Sequence, residues 1–404
     1  MRILMIAPEP FFQPRGTPFS EYYRARAMTE LGHTVDVVTY PMGEDVDMPG
    51  LTVYRAPRIP GLKNVRVGPS GAKLALDALV FTSSIRRLLA ARYDLLDCHE
   101  EAGLIGVVLA KLFRVPTIYD MHSSLPEQLE NFDYTRNGLV RRLFEVGERL
   151  TIRGSDGVIV ICPYLESVVS RVDGNKPCFL IENTPLAEAG ETVPPEAVEA
   201  LRERLGLANA FVILYTGTFE AYQGLPLLYR AFRQVQAKAP QARLVLVGGQ
   251  AEQLVAAENE LRALGVLSGV VFTGQRPPSE MPRYWAVGDV LASPRSQGNN
   301  TPLKIYSYLR AGKPIVATRL VTHTQVLDDD CAVLTEPTPE AFAEGILTLA
   351  SDSARRRELG LAAFRRSERD YSYERYVERT RRVLDFVSEL SSGSVARARA
   401  ATTD

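Results

Sequence analysis

Short apolar runs alternate with amphipathic stretches along this chain, and the alternation occurs twice. In the first half the runs RILMIAP, TVDVVTY, LTVYRAP, LLDCH, PTIYDMH, GVIVIC and CFLIEN have the length of single strands. They are rich in Val and Ile with little polar alternation, the pattern of parallel strands covered on both faces. Between them, TPFSEYYRARAMTEL (stopped by Gly32) and residues 70–90, 101–113, 138–153 and 163–171 predict helices. From 184 to 208 the pattern breaks around a Pro pair and a short helix, which predicts a linker. Strands resume at FVILYTG, RLVLVGG, GVVFTG, DVLASP and KPIVAT, each followed by a helical stretch. Repeated strand–helix alternation predicts an α/β fold of two doubly wound parallel-sheet domains facing across a cleft, with ligands at the carboxyl ends of the strands. The expected organisation is a first domain over 1–185, a linker over 186–208 and a second domain over 209–370. A helix over 371–390 is expected to pack back across the domains, followed by a Ser/Ala/Arg-rich tail, 391–404, expected to be disordered.

Composition narrows the function classes. A length of 404 residues suits two cores better than one. A net charge of -1 argues against a nucleic-acid binder. The four cysteines, Cys98, Cys162, Cys178 and Cys331, lie far apart without a CxxC spacing, so they read as reduced thiols and not as a disulfide framework or zinc site. MRILMIAPEP reads as a first strand and not as a signal peptide, and the apolar stretch GLIGVVLAKLF is too short to span a bilayer. A cytoplasmic protein is the expectation.

The segment GNNTPLKIYSYLRAGKPIVAT, residues 298–318, concentrates the candidate chemistry. Thr301 reads as an N-cap, Pro302 as a first helical residue and Gly312 as a helix stop before a strand. A helix N-terminus would then point from the carboxyl edge of a sheet, where its free N–H groups and dipole favour an anion. Gly217 and Gly224 in YTGTFEAYQG form a second such corner, VGGQ at 247–250 a third, and Gly16 with Thr17, next to Arg15, a fourth.

At these residues the chain resembles the family 4 glycosyltransferases of the GT-B fold. ELGHTVDVVT, YDMHSS, ERLTIRGSDGVIVIC, VVFTGQRPPSEMPRYWAVGDVLASP and TPLKIYSYLRAGKPIVAT carry the resemblance, which runs over nearly the whole chain. It implies two Rossmann-like domains, with a nucleotide-sugar in the C-terminal one and an acceptor in the N-terminal one. It further implies transfer with retention, without a metal, and with the leaving phosphate taking the acceptor proton. Donor contacts carried over are Gly16, Thr17, Thr218, Gln223, Gln275, Arg276, Asn299, Asn300, Thr301, Pro302, Leu303 and Ser307; His122 matches the family's active-site His. The chain departs from the family at four charged positions: Thr218 and Gln223 stand for an Arg and a Lys, and Asn299 and Ser307 for two Glu. Losing the two cations removes charge-assisted bonds to phosphate of about 1.5–3 kcal/mol each. Arg15, Arg295 and Lys304 are candidates to return that charge, although Lys304 equally reads as a solvated helix residue. No resident cofactor is implied, the nucleotide-sugar (a UDP-sugar as first choice) being a substrate. The acceptor, whether sugar, lipid-linked or small molecule, is open, as is the oligomeric state. Rival readings are a sugar-nucleotide epimerase on the same frame and a non-catalytic scaffold derived from a transferase.

The other candidates carry two readings each. His33 reads as structural. His99 and Glu100 end the strand LLDCH, either as acceptor-side groups or as a polar strand end. Asp120 shares a face with His122 and reads as its support. His323 follows the last strand, facing the cleft or the core. EDVDMPG and LDDD at 327–330 read as loop acids and not as metal sites. Arg58, Lys63, Arg66, Lys73, Arg86, Arg87 and Arg92 form either a basic patch for weak peripheral contact with an inner membrane face or an ordinary solvated helix face.

Overall fold

The computed structural model describes residues 1–13, 16–62, 71–127, 138–185 and 193–401, with backbone alone beyond 392. Arg15, Lys63 and Arg66 lie outside the described residues. The chain divides into two compact units, Met1–Asn183 with Glu374–Asp404, and Thr184–Tyr373.

The first unit holds a seven-stranded parallel sheet of β1 (Arg2–Ala7), β2 (Thr34–Thr39), β3 (Leu51–Arg55), β4 (Leu95–His99), β5 (Thr117–Met121), β6 (Gly157–Val160) and β7 (Cys178–Leu180). Its order is β3-β2-β1-β4-β5-β6-β7. Leu4, Ile6, Val38 and Leu96 pack with Leu76 and Val80 of the helix Gly71–Ala90, while Tyr119, Met121, Val158 and Val160 pack with Leu165 and Val169 of the helix Pro163–Val172. The second unit holds a six-stranded parallel sheet of β8 (Phe211–Thr216), β9 (Ala242–Val247), β10 (Val270–Gly274), β11 (Val290–Ser293), β12 (Ile315–Thr318) and β13 (Ala332–Thr335), in the order β10-β9-β8-β11-β12-β13. Alternation along β8 splits its side chains between two cores. Ile213 and Tyr215 meet Leu228, Phe232, Phe342 and Ile346; Val212 and Leu214 meet Trp285, Ile305 and Leu309. Each such aliphatic burial contributes about 1.5–3 kcal/mol before conformational entropy is subtracted.

Both sheets reverse their order once, between β1 and β4 and between β8 and β11. At a reversal the crossover helices leave on opposite faces, and a crevice opens at the carboxyl ends of the strands. His99 closes β4, and Glu100 and His122 follow β4 and β5 in the first unit; Gly217–Gly224 and Arg295–Asn300 follow β8 and β11 in the second.

Two boundaries differ from the sequence expectation. Within the expected linker, the helix Pro195–Arg204 places Leu201 in the second unit's core, joined there by Leu207. Residues 391–401 of the tail are helical, as the end of the helix Tyr373–Ala401. Its Ala and Arg residues are strong helix formers, and extending an existing helix avoids the cost of nucleation. No helix among the described residues is long and apolar enough to cross a membrane.

Candidate functional site

In the first unit a buried polar chain runs through the ends of β4 and β5. Asp97 and His99 share a face of β4, and the sheet register sets Asp120 beside His99. His99 Nε2 lies 3.1 Å from Asp97 Oδ2, and its Nδ1 lies 3.1 Å from His122 Nε2. Asp120 Oδ1 is 3.3 Å from His122 Nε2, while its Oδ2 accepts a 3.0 Å bond from Arg24 Nε. Arg24 reaches in from the helix Thr17–Glu30, donates through Nη1 to Thr380 Oγ1 at 2.9 Å and stacks 5.0 Å from the Tyr376 ring centre. All of these groups are buried.

The chain separates the two imidazoles electrically. Burial alone would lower His99, but Asp97 and Asp120 outweigh it and raise its pKa to about 9. Burial lowers His122 to about 4, and the cations His99 and Arg24 add to that against the pull of Asp120. Burial would raise Asp120, yet Arg24 and the two histidines bring it down to about 2. At neutral pH His99 is therefore the charged partner and donates from both nitrogens, to Asp97 and to His122 Nε2. His122 is neutral and keeps its own proton on Nδ1. His99, Asp120 and His122 offer ligand atoms within 4.8 Å of one another, a spacing that could hold a metal ion. The Arg24 cation bonded to Asp120 opposes that use.

Glu21 lies one turn before Arg24 on the same helix. It is fully buried, and neither carboxyl oxygen has a hydrogen-bond partner among the described residues. Burial raises its pKa from 4.5 to about 8, opposed by the nearby His99 charge. The unfolded chain releases this proton near the ordinary value while the folded chain holds it, so Glu21 costs stability progressively from pH 4.5 up to about 8. Glu21→Gln is expected to stabilise the protein more near pH 8 than near pH 5. Urea midpoints at the two pH values check this, and an equal gain at both would refute it. Glu100, adjacent to His99, adopts φ 48°, and both its carboxyl oxygens accept from Ser123 Oγ, at 3.2 and 3.0 Å.

In the second unit, Gly217 ends β8 and Gly224 opens the helix Leu225–Lys238 with φ +72°; a Cβ on Gly224 would fall 2.0 Å from the carbonyl oxygen of Pro294. The two loops at the β8–β11 reversal can approach this closely only because that position is glycine. Lys304 turns into this corner and not out to solvent. Its Nζ donates to Gln223 Oε1 at 3.0 Å and sits 3.9 Å from the Tyr215 ring centre, and Tyr215 in turn donates to the Thr218 carbonyl at 2.6 Å. Burial and the neighbouring Arg295 cation both depress the Lys304 pKa well below its usual value. Arg295 stacks 5.0 Å from the Tyr222 ring centre and donates through Nε to the Gln297 carbonyl at 2.8 Å. The neutral Gln223 thus accepts a bond from the Lys304 amine, which arrives on a different helix.

The helix of this corner is Leu303–Arg310, with Pro302 as its extended N-cap. Thr301 is therefore not the cap; its hydroxyl is buried without a partner among the described residues. Pro302 has φ -66° and an extended ψ of 133°, so the helix starts one residue later than the Thr-Pro pair suggests. The Asn299 and Asn300 carbonyls accept from Gln325 Nε2 (2.7 Å) and Thr322 Oγ1 (2.6 Å), and Ser307 is fully buried. Gln275 and Arg276 are exposed in the loop after β10, and Thr218 is exposed after β8. Gly16 precedes the helix that Thr17 begins. His323 belongs to the core: its ring nitrogens bond Ser293 Oγ (2.8 Å) and the Thr318 carbonyl (2.8 Å), and burial lowers its pKa to about 3. His33 bonds the N-terminal amine. Asp45, Asp328 and Asp329 are taken up by Arg55, Arg366 and Arg319. Of the basic residues expected to form a patch, Lys73 is buried against Glu9 and Glu101 and Arg87 lies over Tyr54, while Arg58, Arg86 and Arg92 are exposed. Arg24, Asp97 and Glu21 do not stand out in the sequence; the only signal for Asp97 is its i, i+2 spacing to His99 in a strand.

Comparisons with known proteins agree with both sheets. Residues 23–183 match the glycosyl transferase 4-like domain, and residues 210–352 match glycosyl transferases group 1. A D-inositol 3-phosphate glycosyltransferase of Corynebacterium aurimucosum is 25% identical over 363 residues, 84% of this chain and 83% of that protein. A GDP-mannose-dependent alpha-(1-6)-phosphatidylinositol monomannoside mannosyltransferase of Mycolicibacterium smegmatis is 30% identical over 49% of this chain and 52% of its own length. Among solved structures, sucrose-phosphate synthase of Thermosynechococcus elongatus superposes with a TM-score of 0.82 at 19% identity, covering 96% of this chain and 99% of that one. The Anabaena protein HepE in complex with UDP-glucose superposes at 0.75 and 18% identity, covering 95% and 99%. With each half matched in turn and two doubly wound parallel sheets in place, the chain belongs to the group 1 glycosyltransferases of family 4 type, with the GT-B fold.

Proposed function

We propose that this glycosyltransferase moves a sugar from a UDP-sugar to an acceptor hydroxyl, with retention and without a metal ion. The observation that carries this reading is the inward Lys304. A lysine held among Gln223, Tyr215 and Arg295, at a strand reversal opened by glycines, suits a dianionic leaving group. It supplies the positive charge absent at Thr218 and Gln223, and it can neutralise a leaving diphosphate where other transferases use a metal. The donor set also includes the backbone around Asn299–Leu303. Gly16, Thr17, Gln275 and Arg276 are kept as further contacts, and Arg15 and Arg295 as further charges.

His122 is the proposed group beside the reacting atoms, with its Nδ1 proton available to a sugar hydroxyl. Asp120 is committed to Arg24 and Asp97 to His99, so the leaving phosphate is the proton acceptor in this reading. His122→Ala is expected to lower kcat at least about tenfold, some 1.4 kcal/mol in the barrier. Unchanged turnover by a folded variant would remove His122 from that role. Relatives named for inositol-bearing acceptors make a polyol or sugar hydroxyl the acceptor of choice, free or lipid-linked, with His99 and Glu100 on its side.

A thermal-shift and calorimetric panel of UDP, GDP, ADP and their sugars tests the donor. A ligand at a hundred times its Kd stabilises the fold by about 2.7 kcal/mol. A response to UDP alone supports the assignment, and a response to GDP alone moves it to a GDP-sugar. Silence throughout would mark the protein as a scaffold, and consumption of the sugar without an acceptor would mark it as an epimerase.

A further inference from the structure

The helix Gly138–Gly154 reverses the usual arrangement of a surface helix. Its inward face carries Glu148, Thr151 and Ile152, all buried. Its outward face carries Leu139, Leu143, Val146 and Leu150, which fall on one stripe by their spacing, and Leu139 and Leu143 are 76% and 68% exposed. The stripe is roughly 16 Å long. The helix Ala102–Phe113 packs beside it, so closely that a Cβ on Gly103 would lie 2.4 Å from Thr151 and one on Gly154 would lie 2.5 Å from Val107. That neighbour shows its own outward row, Leu104, Val108 and Leu112, with Leu112 67% exposed. Two adjoining apolar rows on one face form a patch, and patches of this kind mark interaction sites.

Charge decides the partner. Arg142, Arg149 and Arg153 line one flank of the stripe, and Lys111 and Arg114 close the neighbouring helix. Arg149 and Arg153 also line a groove of about 610 Å³ toward the helix Pro163–Val172, where Arg141 and Arg171 join them alongside Glu127, Glu145 and Glu148. A two-fold pairing of antiparallel stripes would bring each arginine flank against its own copy, which like charge opposes. Phosphate headgroups beside an acyl surface match both features at once.

We propose that this face is a membrane-docking surface that seats on an anionic bilayer, with the leucine rows in the acyl boundary and the arginine flank on lipid phosphates. It differs from the patch expected at residues 58–92, and it does not depend on the transferase reading.

The test is co-sedimentation of the full chain with phosphatidylcholine vesicles, with and without about one-third phosphatidylglycerol. The full chain is expected to bind the anionic vesicles and to bind the neutral ones far less. Leu139→Gln with Leu143→Gln, and separately Arg149→Gln with Arg153→Gln, are each expected to weaken that binding roughly tenfold or more. The leucine side chains are exposed, so circular dichroism should be unchanged in the first variant. Failure of the full chain to bind anionic vesicles would overturn the proposal, as would wild-type binding by the leucine variant. A dimer in light scattering that the leucine substitutions dissociate would assign the face to a second copy and overturn it too.

Discussion

Asp120→Ala is expected to lower the unfolding free energy by about 3–5 kcal/mol, the range for removing one partner of a buried ion pair. Both side chains are sealed off, Arg24 at 1% and Asp120 at 0% exposure. Without the carboxylate, the guanidinium keeps the Thr380 hydroxyl, the Tyr376 ring and the more distant Asp97 charge. None of these replaces the direct ion pair at 3.0 Å. Loss of the carboxylate also strips His99 of one of the two anions that hold its proton, so the effect reaches the His122 tautomer. The exposed pair Arg26–Glu30 on the same helix offers the contrast, since such a surface pair contributes about 0.3–0.5 kcal/mol. Denaturant titration followed by far-UV circular dichroism measures the loss. The single tryptophan, Trp285, lies in the Thr184–Tyr373 unit, so its fluorescence reports on the unit that lacks Asp120. A loss below about 1 kcal/mol would mean that Arg24 is better compensated than its contacts imply.

Lys304→Met is expected to have effects of opposite sign on ligand binding and on stability. Removing a charge-assisted bond to a diphosphate costs about 1.5–3 kcal/mol, so the Kd for the nucleoside diphosphate should rise roughly tenfold to more than a hundredfold. The same substitution relieves a desolvated ammonium beside Arg295 and fills the space over Tyr215 with an apolar chain of similar length. The ligand-free protein should therefore become more stable, as expected when a strained functional group is removed. Calorimetry and thermal unfolding on the same preparations measure the two quantities. Weaker binding together with lower stability would point to a packing defect; unchanged binding would take Lys304 out of the donor site.

The sequence was most informative where local pattern and burial agree. ILMIA after Arg2, and IVAT, are strands because their residues are apolar or small and all are buried. The helix expected over 138–153 is Gly138–Gly154. What could not be foreseen depends on partners distant in the chain. Arg24 reads as a solvent position on an amphipathic helix until Asp120, 96 residues away, and Thr380, 356 residues away, close around it. Lys304 reads equally as returned charge or as a solvated helix residue, because nothing local shows that Gln223, 81 residues earlier, will accept its bond. Thr-Pro looks like a cap and first helical residue, but the backbone after it decides which of the two holds that place. Leu139, Leu143 and Leu150 have the spacing of a buried stripe, and sequence periodicity cannot say which side of a helix meets the core.

The return of the chain to its first unit constrains the order of its synthesis. Residues 184–373 form an uninterrupted unit, so a nascent chain can complete that unit as soon as it has cleared the ribosome. The first unit, although begun earlier, lacks Thr380 and Tyr376 until the last helix emerges, and Arg24 is until then without two of its partners. The part translated second can therefore be finished first, and a chain truncated before residue 374 would carry a complete second unit beside a first one still short of its closing helix.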